Sequence, residues 1–226
     1  MSKKNIEQDV VTEQLGKAEQ FVENNKQKIG MVLGGLAVIA VAVFGFNKYV
    51  LQPKQDEAQA QMFVAVSYFE KDSLNKAING DGTYPGLVEI IEEYGSTTAG
   101  NLAHYYLGMA YLKTGEFDLA IENLKDFDSD DEIVSSLALG GIGDAYSELN
   151  DIKAAAEYYS KVYANSKNKF TAPIYLLRLG LAQEELGNYS KAIDTYKILQ
   201  KEFNESAESR NVAALIARAQ AKSQNG

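Results

Sequence analysis

The chain has 226 residues, only three prolines, no cysteine, and 22 basic against 31 acidic residues. So acidic a balance offers no electrostatic footprint for nucleic acid. Scarce proline with abundant Ala, Leu, Glu and Lys predicts an all-α protein, and the zero cysteine count fits oxidising and reducing compartments alike.

Residues 1–28 read as an amphipathic helix in which Ile6, Val10, Val11, Leu15, Ala18, Phe21 and Val22 recur at helical spacing. Such a stripe is either a solvated helix or one that docks its Leu15, Phe21 and Val22 face on a cytoplasmic or membrane partner. Ile29–Phe46 follows with 18 residues free of charge and of hydrogen-bonding side chains. At roughly 1.5 Å per residue it is about 27 Å of helix, close to the thickness of bilayer hydrocarbon. Asn47, Lys48 and Tyr49 close it with a polar group, a snorkelling cation and an interfacial aromatic. Residues 29–50 are therefore expected to form one transmembrane helix. A cleaved signal peptide fits poorly, because 28 residues precede the run and it continues past Ala40-Val41-Ala42. A buried core helix rarely runs so long without a polar face.

Lys17, Lys26 and Lys28 precede the span, and Lys48 and Lys54 follow it. The positive-inside bias places the N-terminus in the cytoplasm and the C-terminal part across the membrane. Gly30 and Gly34 form a small-xxx-small pair with Ala37 about one turn further on. That face is the expected lateral contact with another membrane protein, although glycine is also simply common in membrane helices.

Residues 52–226 hold 26 acidic and 16 basic residues. Such a domain is repelled by an anionic lipid surface. Pro53 suits the first turn of a helix whose stripe is Ala58, Met62, Ala65, Val66 and Phe69. No Gly/Ser-rich or Pro-rich linker precedes it, so the domain is expected to stay close to the bilayer.

A repeat then emerges. Leu107-Gly108-x-x-Tyr111-x3-Gly115-x-Phe117-x2-Ala120-x3-Leu124 aligns with Ile142-Gly143-x-x-Tyr146-x3-Asn150-x-Ile152-x2-Ala155-x3-Tyr159. A third copy runs Leu179-Gly180-x-x-Gln183-x3-Gly187-x-Tyr189-x2-Ala192-x3-Tyr196. Gly108, Gly143 and Gly180 are expected to make room for Ala120, Ala155 and Ala192, with Tyr111, Tyr146, Leu124, Tyr159 and Tyr196 filling the space around them. Gly115, Asn150 and Gly187 stand where a left-handed cap must end the first helix. The pattern resembles the tetratricopeptide repeat, a helix–turn–helix unit of about 34 residues. Gln183 replaces the usual aromatic, and no copy ends in the family's proline.

A weaker copy, Val64-Ala65-x-x-Tyr68-x3-Asp72-x-Leu74-x2-Ala77, breaks at Asn79-Gly80-Asp81-Gly82 and resumes as a short helix over Gly86–Tyr94. At the other end, Ser206–Ala219 reads as a capping helix with Val212, Leu215, Ile216 and Ala219 on one face. The expected organisation is 1–28 cytoplasmic amphipathic helix, 29–50 transmembrane helix and 51–98 degenerate first unit. Residues 99–204 then hold three repeats, and 205–226 the capping helix and tail.

No catalytic constellation emerges. His104 is the only histidine and lies inside a repeat helix. Counted from Asp126 as a calcium loop, the sixth and twelfth positions are Asp131 and Leu137, where glycine and glutamate are required. The acidic run is better read as capping the helix that begins near Glu132. Asn79-Gly80-Asp81-Gly82 lacks the Gly-Lys-Ser/Thr of a phosphate loop. The expectation is a non-enzyme with no cofactor, no metal and no small-molecule substrate.

Repeat solenoids present a concave face, chiefly from the first helix of each pair. By register it comprises Leu102, Tyr105, Met109 and Leu112, then Leu137, Asp144 and Glu148, then Ile174, Leu177 and Leu181. Some of these are equally open to a packing role. Relatives that clamp a peptide's terminal carboxylate use Lys, Arg and Asn there; acids and apolars replace them here. The layout as a whole resembles the YfgM family, most clearly at Tyr94-Gly95-Ser96-Thr97-Thr98-Ala99-Gly100-Asn101-Leu102-Ala103 leading into Tyr105-Tyr106-Leu107-Gly108. That resemblance implies a bacterial inner-membrane protein with periplasmic repeats, working beside the SecYEG translocon with the chaperone-like PpiD. A general periplasmic scaffold for another envelope or secretion complex shares every one of these features.

Overall fold

The computed structural model describes the backbone of residues 3–225 and the side chains of Gln20, Phe21 and residues 23–224. Every regular element among them is helical. The chain separates after Pro53 into two units.

The first unit holds α1 (Lys3–Phe46) and one π turn, Asn47–Leu51. It supplies one helix long and apolar enough to cross a membrane: an 18-residue window has a mean hydropathy of 2.5, and none of it is buried. Lys48 closes the apolar end, its ammonium 6.0 Å from the Phe44 ring centre and 5.8 Å from that of Tyr49. Phe21 is exposed. Ile6, Val10, Val11, Leu15, Ala18 and Val22 of the expected stripe lie outside the described side chains.

The second unit is a stack of short helices: α2 (Gln52–Glu70), α3 (Leu74–Asn79), α4 (Leu87–Tyr94), α5 (Thr98–Thr114) and α6 (Phe117–Asp126), continued by α7 (Glu132–Glu148), α8 (Ile152–Asn165), α9 (Ala172–Glu185), α10 (Tyr189–Glu202) and α11 (Val212–Asn225). Pairs α5/α6, α7/α8 and α9/α10 pack within themselves and against their neighbours, and α11 lies on α10. The sequence spacing explains where each pair turns. Gly115 (φ 89°), Asn150 (φ 62°) and Gly187 (φ 73°) all adopt the left-handed conformation the cap requires, and so does Asp72 (φ 56°) in the weaker copy. The chain reverses there because few residues other than glycine, asparagine and aspartate tolerate that conformation.

The space over the repeat glycines is filled by Leu124, Tyr159 and Tyr196, three of the large residues expected around them. Ala120, Ala155 and Ala192 are fully buried. A methyl on Gly108 would stand 2.6 Å from Leu124 Cγ, and one on Gly143 would stand 2.5 Å from the Tyr159 ring. At Gly180 it would overlap the Tyr196 ring, which has no exposed surface. Gln183, in the place of an aromatic, instead accepts a hydrogen bond from Thr195 Oγ1 at 2.8 Å.

The first repeat closes in its own way. The position equivalent to Leu124, Tyr159 and Tyr196 is Asp81, which lies in a turn. Its carboxylate accepts from Tyr68 Oη (2.6 Å) and from the amides of Thr83 (2.9 Å) and Tyr84 (2.8 Å). Gly86 passes so close to Asn79 and Gly80 that any side chain would strike backbone. Helix α4 then buries Leu87, Ile90 and Tyr94 against α2 and α5. At the C-terminal end, residues 208–211 form a 3₁₀ turn rather than the start of the expected helix. Ser209 Oγ donates to the carbonyls of Asn204 and Ser206, each at 2.9 Å, and these local bonds compete with helix formation. Helix α11 begins at Val212 and buries Val212 and Ala219.

Candidate protein-binding surface

Helices α5, α7 and α9 carry the residues that the repeat register assigns to the concave face, and the structure divides them by depth. Tyr105, Met109 and Leu112 are half-buried, packed against the cluster that joins α6 to α7. The Tyr105 ring lies 5.3 Å from Phe127 and 5.4 Å from Tyr106. Gly141 allows this contact, for a methyl there would stand 3.2 Å from Met109 Sδ and 3.7 Å from Leu112 Cδ2. Its neighbour Gly140 is roofed by the Tyr175 ring of α9. Successive glycines thus let α5 and α9 each approach α7, a role the repeat alignment did not assign them. Leu102 and Leu177 border other parts of the core, and Leu137 and Ile174 are half-buried. Glu148 and Leu181 are exposed.

Asp144 does more than line a face. It accepts from Tyr159 Oη at 2.9 Å and pairs with Arg178 of the next helix pair. Burial and then the Asp144 charge push the Tyr159 pKa up, so that the phenol stays a donor. Burial alone pulls Arg178 down, but its hydrogen bond and charge contact with Asp144 outweigh that and raise it. The same clip recurs one repeat later. Glu184 is buried, accepts from Tyr196 Oη (2.8 Å), and binds Arg218 of α11 through two hydrogen bonds of 2.7 and 3.0 Å. Acid and arginine are 34 residues apart in both cases. That separation is close to the repeat spacing of 35 and 37 set by Ala120, Ala155 and Ala192, and an acid and an arginine about one period apart is the sequence signal that could have found both pairs.

Leu112, Asp144 and Glu148 come together on a cleft of about 650 Å³ that also exposes Ser147, Phe117 and Arg178. With Asp144 engaged by Arg178, and Lys113 held by Asp72 at 2.6 Å, Glu148 is left as its exposed charge, unpaired among the described residues. A second groove, of about 320 Å³, lies between α2 and α5. Met62, Phe63, Val66, Leu102 and Tyr106 make it predominantly apolar, with Gln55 and Gln59 as polar members. Phe63 is 77% exposed there. Sequence reasoning missed it because Phe63 falls outside the apolar stripe of α2; a large aromatic on the polar side of a helix was the available signal. Gly30, Gly34 and Ala37 are exposed on α1, and nothing lies within 4 Å of a methyl placed on either glycine.

Among the described residues no group of three or more His, Cys, Asp or Glu side chains could hold a metal ion. Asp131 instead caps α7, accepting from the amides of Ile133 and Val134 at 2.9 Å each.

Tetratricopeptide-repeat family matches cover residues 102–129 and 141–207. Over those residues the solenoid is built of tetratricopeptide repeats. Solved structures agree on that fold. A putative kinesin light chain of Podosopora anserina with nearly identical TPR-like repeats aligns at a TM-score of 0.55 and 14% identity, over 76% of this chain and 89% of that one. A single-substitution variant of that protein aligns equally well. MamA AMB-1 aligns at a TM-score of 0.52 and 19% identity, over 75% of this chain and 85% of that one. At such identities the likeness is one of fold. No curated protein matches the chain. A tetratricopeptide solenoid is a scaffold for protein–protein contact, and its surfaces are to be read as docking faces.

Proposed function

We propose that this chain is a non-enzymatic accessory subunit of the bacterial Sec translocon, of the YfgM-like kind. In this reading α1 anchors it in the inner membrane with the N-terminus in the cytoplasm. Its tetratricopeptide domain works in the periplasm, binding a PpiD-like chaperone or assisting emerging secreted chains. The observation that carries the proposal is one layout: a helix long and apolar enough to cross a membrane, followed in sequence without a Gly/Ser-rich or Pro-rich linker by an acidic repeat domain.

The stretch that bears the family resemblance is also a built corner. Tyr94 is buried, Thr97 Oγ1 accepts from the Gly100 amide at 3.0 Å, and a methyl on Gly100 would strike the Tyr94 carbonyl. It sets the angle at which α5 leaves α4 and so shapes the groove beside Phe63 and Leu102. The face at Gly30, Gly34 and Ala37 is assigned to lateral contact in the membrane. The concave residues from Leu102 to Leu181 are assigned to partner contact, with Glu148, Leu181 and the groove at Leu102 the parts open to it.

Gentle detergent extraction of tagged protein from its native membrane, followed by mass spectrometry, tests the proposal. Recovery of translocon subunits with a membrane-anchored chaperone is expected, and Gly30→Leu/Gly34→Leu should release the translocon. Recovery of a different envelope machine would overturn the translocon assignment.

A further inference from the structure

Three lysines meet in one groove away from the residues assigned above. Lys153 and Lys161 of α8 and Lys191 of α10 line a cavity of about 450 Å³ whose apolar members are Ala156, Leu179 and Leu186. Five of the 16 basic side chains of residues 52–226 are ion-paired among the described residues: Lys113 with Asp72, Lys197 with Asp194, Arg178 with Asp144, and Arg218 and Lys222 with Glu184. Lys153 and Lys191 have no hydrogen-bond or ion-pair partner among the described residues. Lys161 sits 4.0 Å over the Tyr158 ring and also has no carboxylate partner there. Glu157 is the one acid lining the groove. It stands four residues from each α8 lysine, yet it is exposed and forms no ion pair with either among the described residues.

Most basic side chains of the domain are likewise without an ion pair among the described residues, so it is the gathering of three in one groove that needs a reason. Residues 52–226 hold 26 acids for 16 bases, so carboxylates are in surplus. Lys153 and Lys191 also fall in the first turns of α8 and α10, where the helix dipole disfavours a cation. Neither local pairing nor capping accounts for them.

We infer that the groove docks an acidic segment of a partner protein. Its carboxylates would lie against Lys153, Lys161 and Lys191, with an apolar side chain over Ala156, Leu179 and Leu186. Charge complementarity chooses the partner's sign, and the apolar members choose a polypeptide over a bare anion. A planar anionic bilayer could meet the rim but could not fill the groove, and the net charge of the domain opposes its approach. The inference is independent of the translocon assignment.

The full chain in zwitterionic nanodiscs is offered a fluorescein-labelled peptide repeating Glu-Asp-Leu, and binding is followed by anisotropy. Saturable binding that weakens with added salt is expected. Lys153→Gln/Lys161→Gln/Lys191→Gln should weaken it about tenfold, and arginine at the three positions should restore it. Lys201→Gln, elsewhere on α10, should bind as the parent does. Circular dichroism checks that each variant keeps its helices. Failure of the parent to bind, equal binding by the triple glutamine variant, or equal binding of a Lys-Lys-Leu repeat would overturn the inference. So would capture of phosphatidylglycerol vesicles in place of the peptide, which would make the surface a lipid contact.

Discussion

The first repeat and the α9/α10 repeat follow one spacing and close by opposite means. In the later repeat Tyr196, fully buried, fills the gap over Gly180 and hydrogen-bonds Glu184. In the first, Asp81 holds the equivalent position, ties down its own turn and Tyr68, and stays exposed. Steric filling forces the second helix to continue straight past the first. A polar turn does not, so the second helix breaks and α4 arrives from another direction to bury Leu87, Ile90 and Tyr94. A repeat can thus lose its second helix and keep a sealed core, provided a later segment brings the apolar side chains back.

The largest test of that contrast lies in two glycines. Gly180→Ala sets a methyl into the Tyr196 ring, and Gly86→Ala sets one into the backbone of Ile78, Asn79 and Gly80. Each should cost about 3 kcal/mol in urea unfolding, at the upper end for overpacking a closed site. Only one can be relieved by trimming a side chain. Tyr196→Leu in the Gly180→Ala background should be less destabilising than the two changes added separately, by about 1 kcal/mol or more. No side-chain truncation should rescue Gly86→Ala, because its obstacle is main chain. Additive behaviour at 180 and 196 would mean that Tyr196 does not fill the gap.

A smaller loss is expected where α11 meets the last repeat. Arg218→Met removes the bidentate partner of buried Glu184 and leaves Tyr196 and Lys222, whose ammonium is 3.4 Å away. About 2 kcal/mol should be lost, less than for a wholly buried pair because Arg218 is half exposed. Burial by itself raises the Glu184 pKa, but hydrogen bonds from Arg218, Tyr196 and Lys222 overcome it and hold the carboxyl below its ordinary value. A lowered folded pKa contributes stability above the unfolded value of 4.5, which is lost as pH falls through the folded one. Arg218→Met should therefore flatten the acid side of the stability profile, and an unchanged slope would remove Glu184 from that role.

Much of this was legible in spacing alone. The turn positions 72, 115, 150 and 187, the broken second helix of the first repeat, and the capping role of Asp131 all follow from residue type and interval. Depth was not legible. Tyr105, Met109 and Leu112 lie on the predicted face of α5, but periodicity gives a direction and not the distance to the next helix, and Gly141 lets that helix close over them. The large residues over Gly108, Gly143 and Gly180 were legible as recurring positions, but an alignment does not show that Leu124, Tyr159 and Tyr196 are the nearest of them. The Asp144–Arg178 and Glu184–Arg218 clips span a repeat boundary, so they become readable only once the period is used as a ruler between repeats. The groove at Phe63 belongs to two helices, Gln52–Glu70 and Thr98–Thr114, that are not neighbours in sequence, and it carries no motif.

Acid should separate the two closures again, more gently. Asp81 is held at a pKa of about 2 by the Tyr68 hydroxyl first and by the Tyr84 and Thr83 amides next. Its folded pKa lies below the ordinary 3.8. The contribution is complete above that value and disappears as pH falls toward 2. Amide exchange in residues 80–86 should accelerate across this window. Asp81→Asn keeps an acceptor but no titrating charge, so its exchange should vary less with pH there once the intrinsic rate is removed. Identical pH profiles for parent and variant would show that the turn does not depend on the carboxylate.

The smallest effect sits at the left-handed turn shared by all four repeats. Asn150 and Asp72 occupy it at φ 62° and 56°, where the other two copies have glycine. Glycine removes the Cβ penalty of this conformation but adds freedom to the unfolded chain, so the net gain is small. Asn150→Gly should stabilise by about 0.5 kcal/mol. Asp72→Gly relieves the same conformation, yet it also deletes the Asp72–Lys113 ion pair, an exposed contact of 2.6 Å worth about 0.5 kcal/mol. The two terms nearly cancel, and Asp72→Gly should leave the unfolding midpoint almost unmoved at low salt. Raising the salt screens the ion pair in the parent, so the variant should then gain on it. If Asn150→Gly and Asp72→Gly instead stabilised equally at every ionic strength, the ion pair would contribute nothing, and the first repeat would hold its turn by backbone conformation alone, as its three neighbours do.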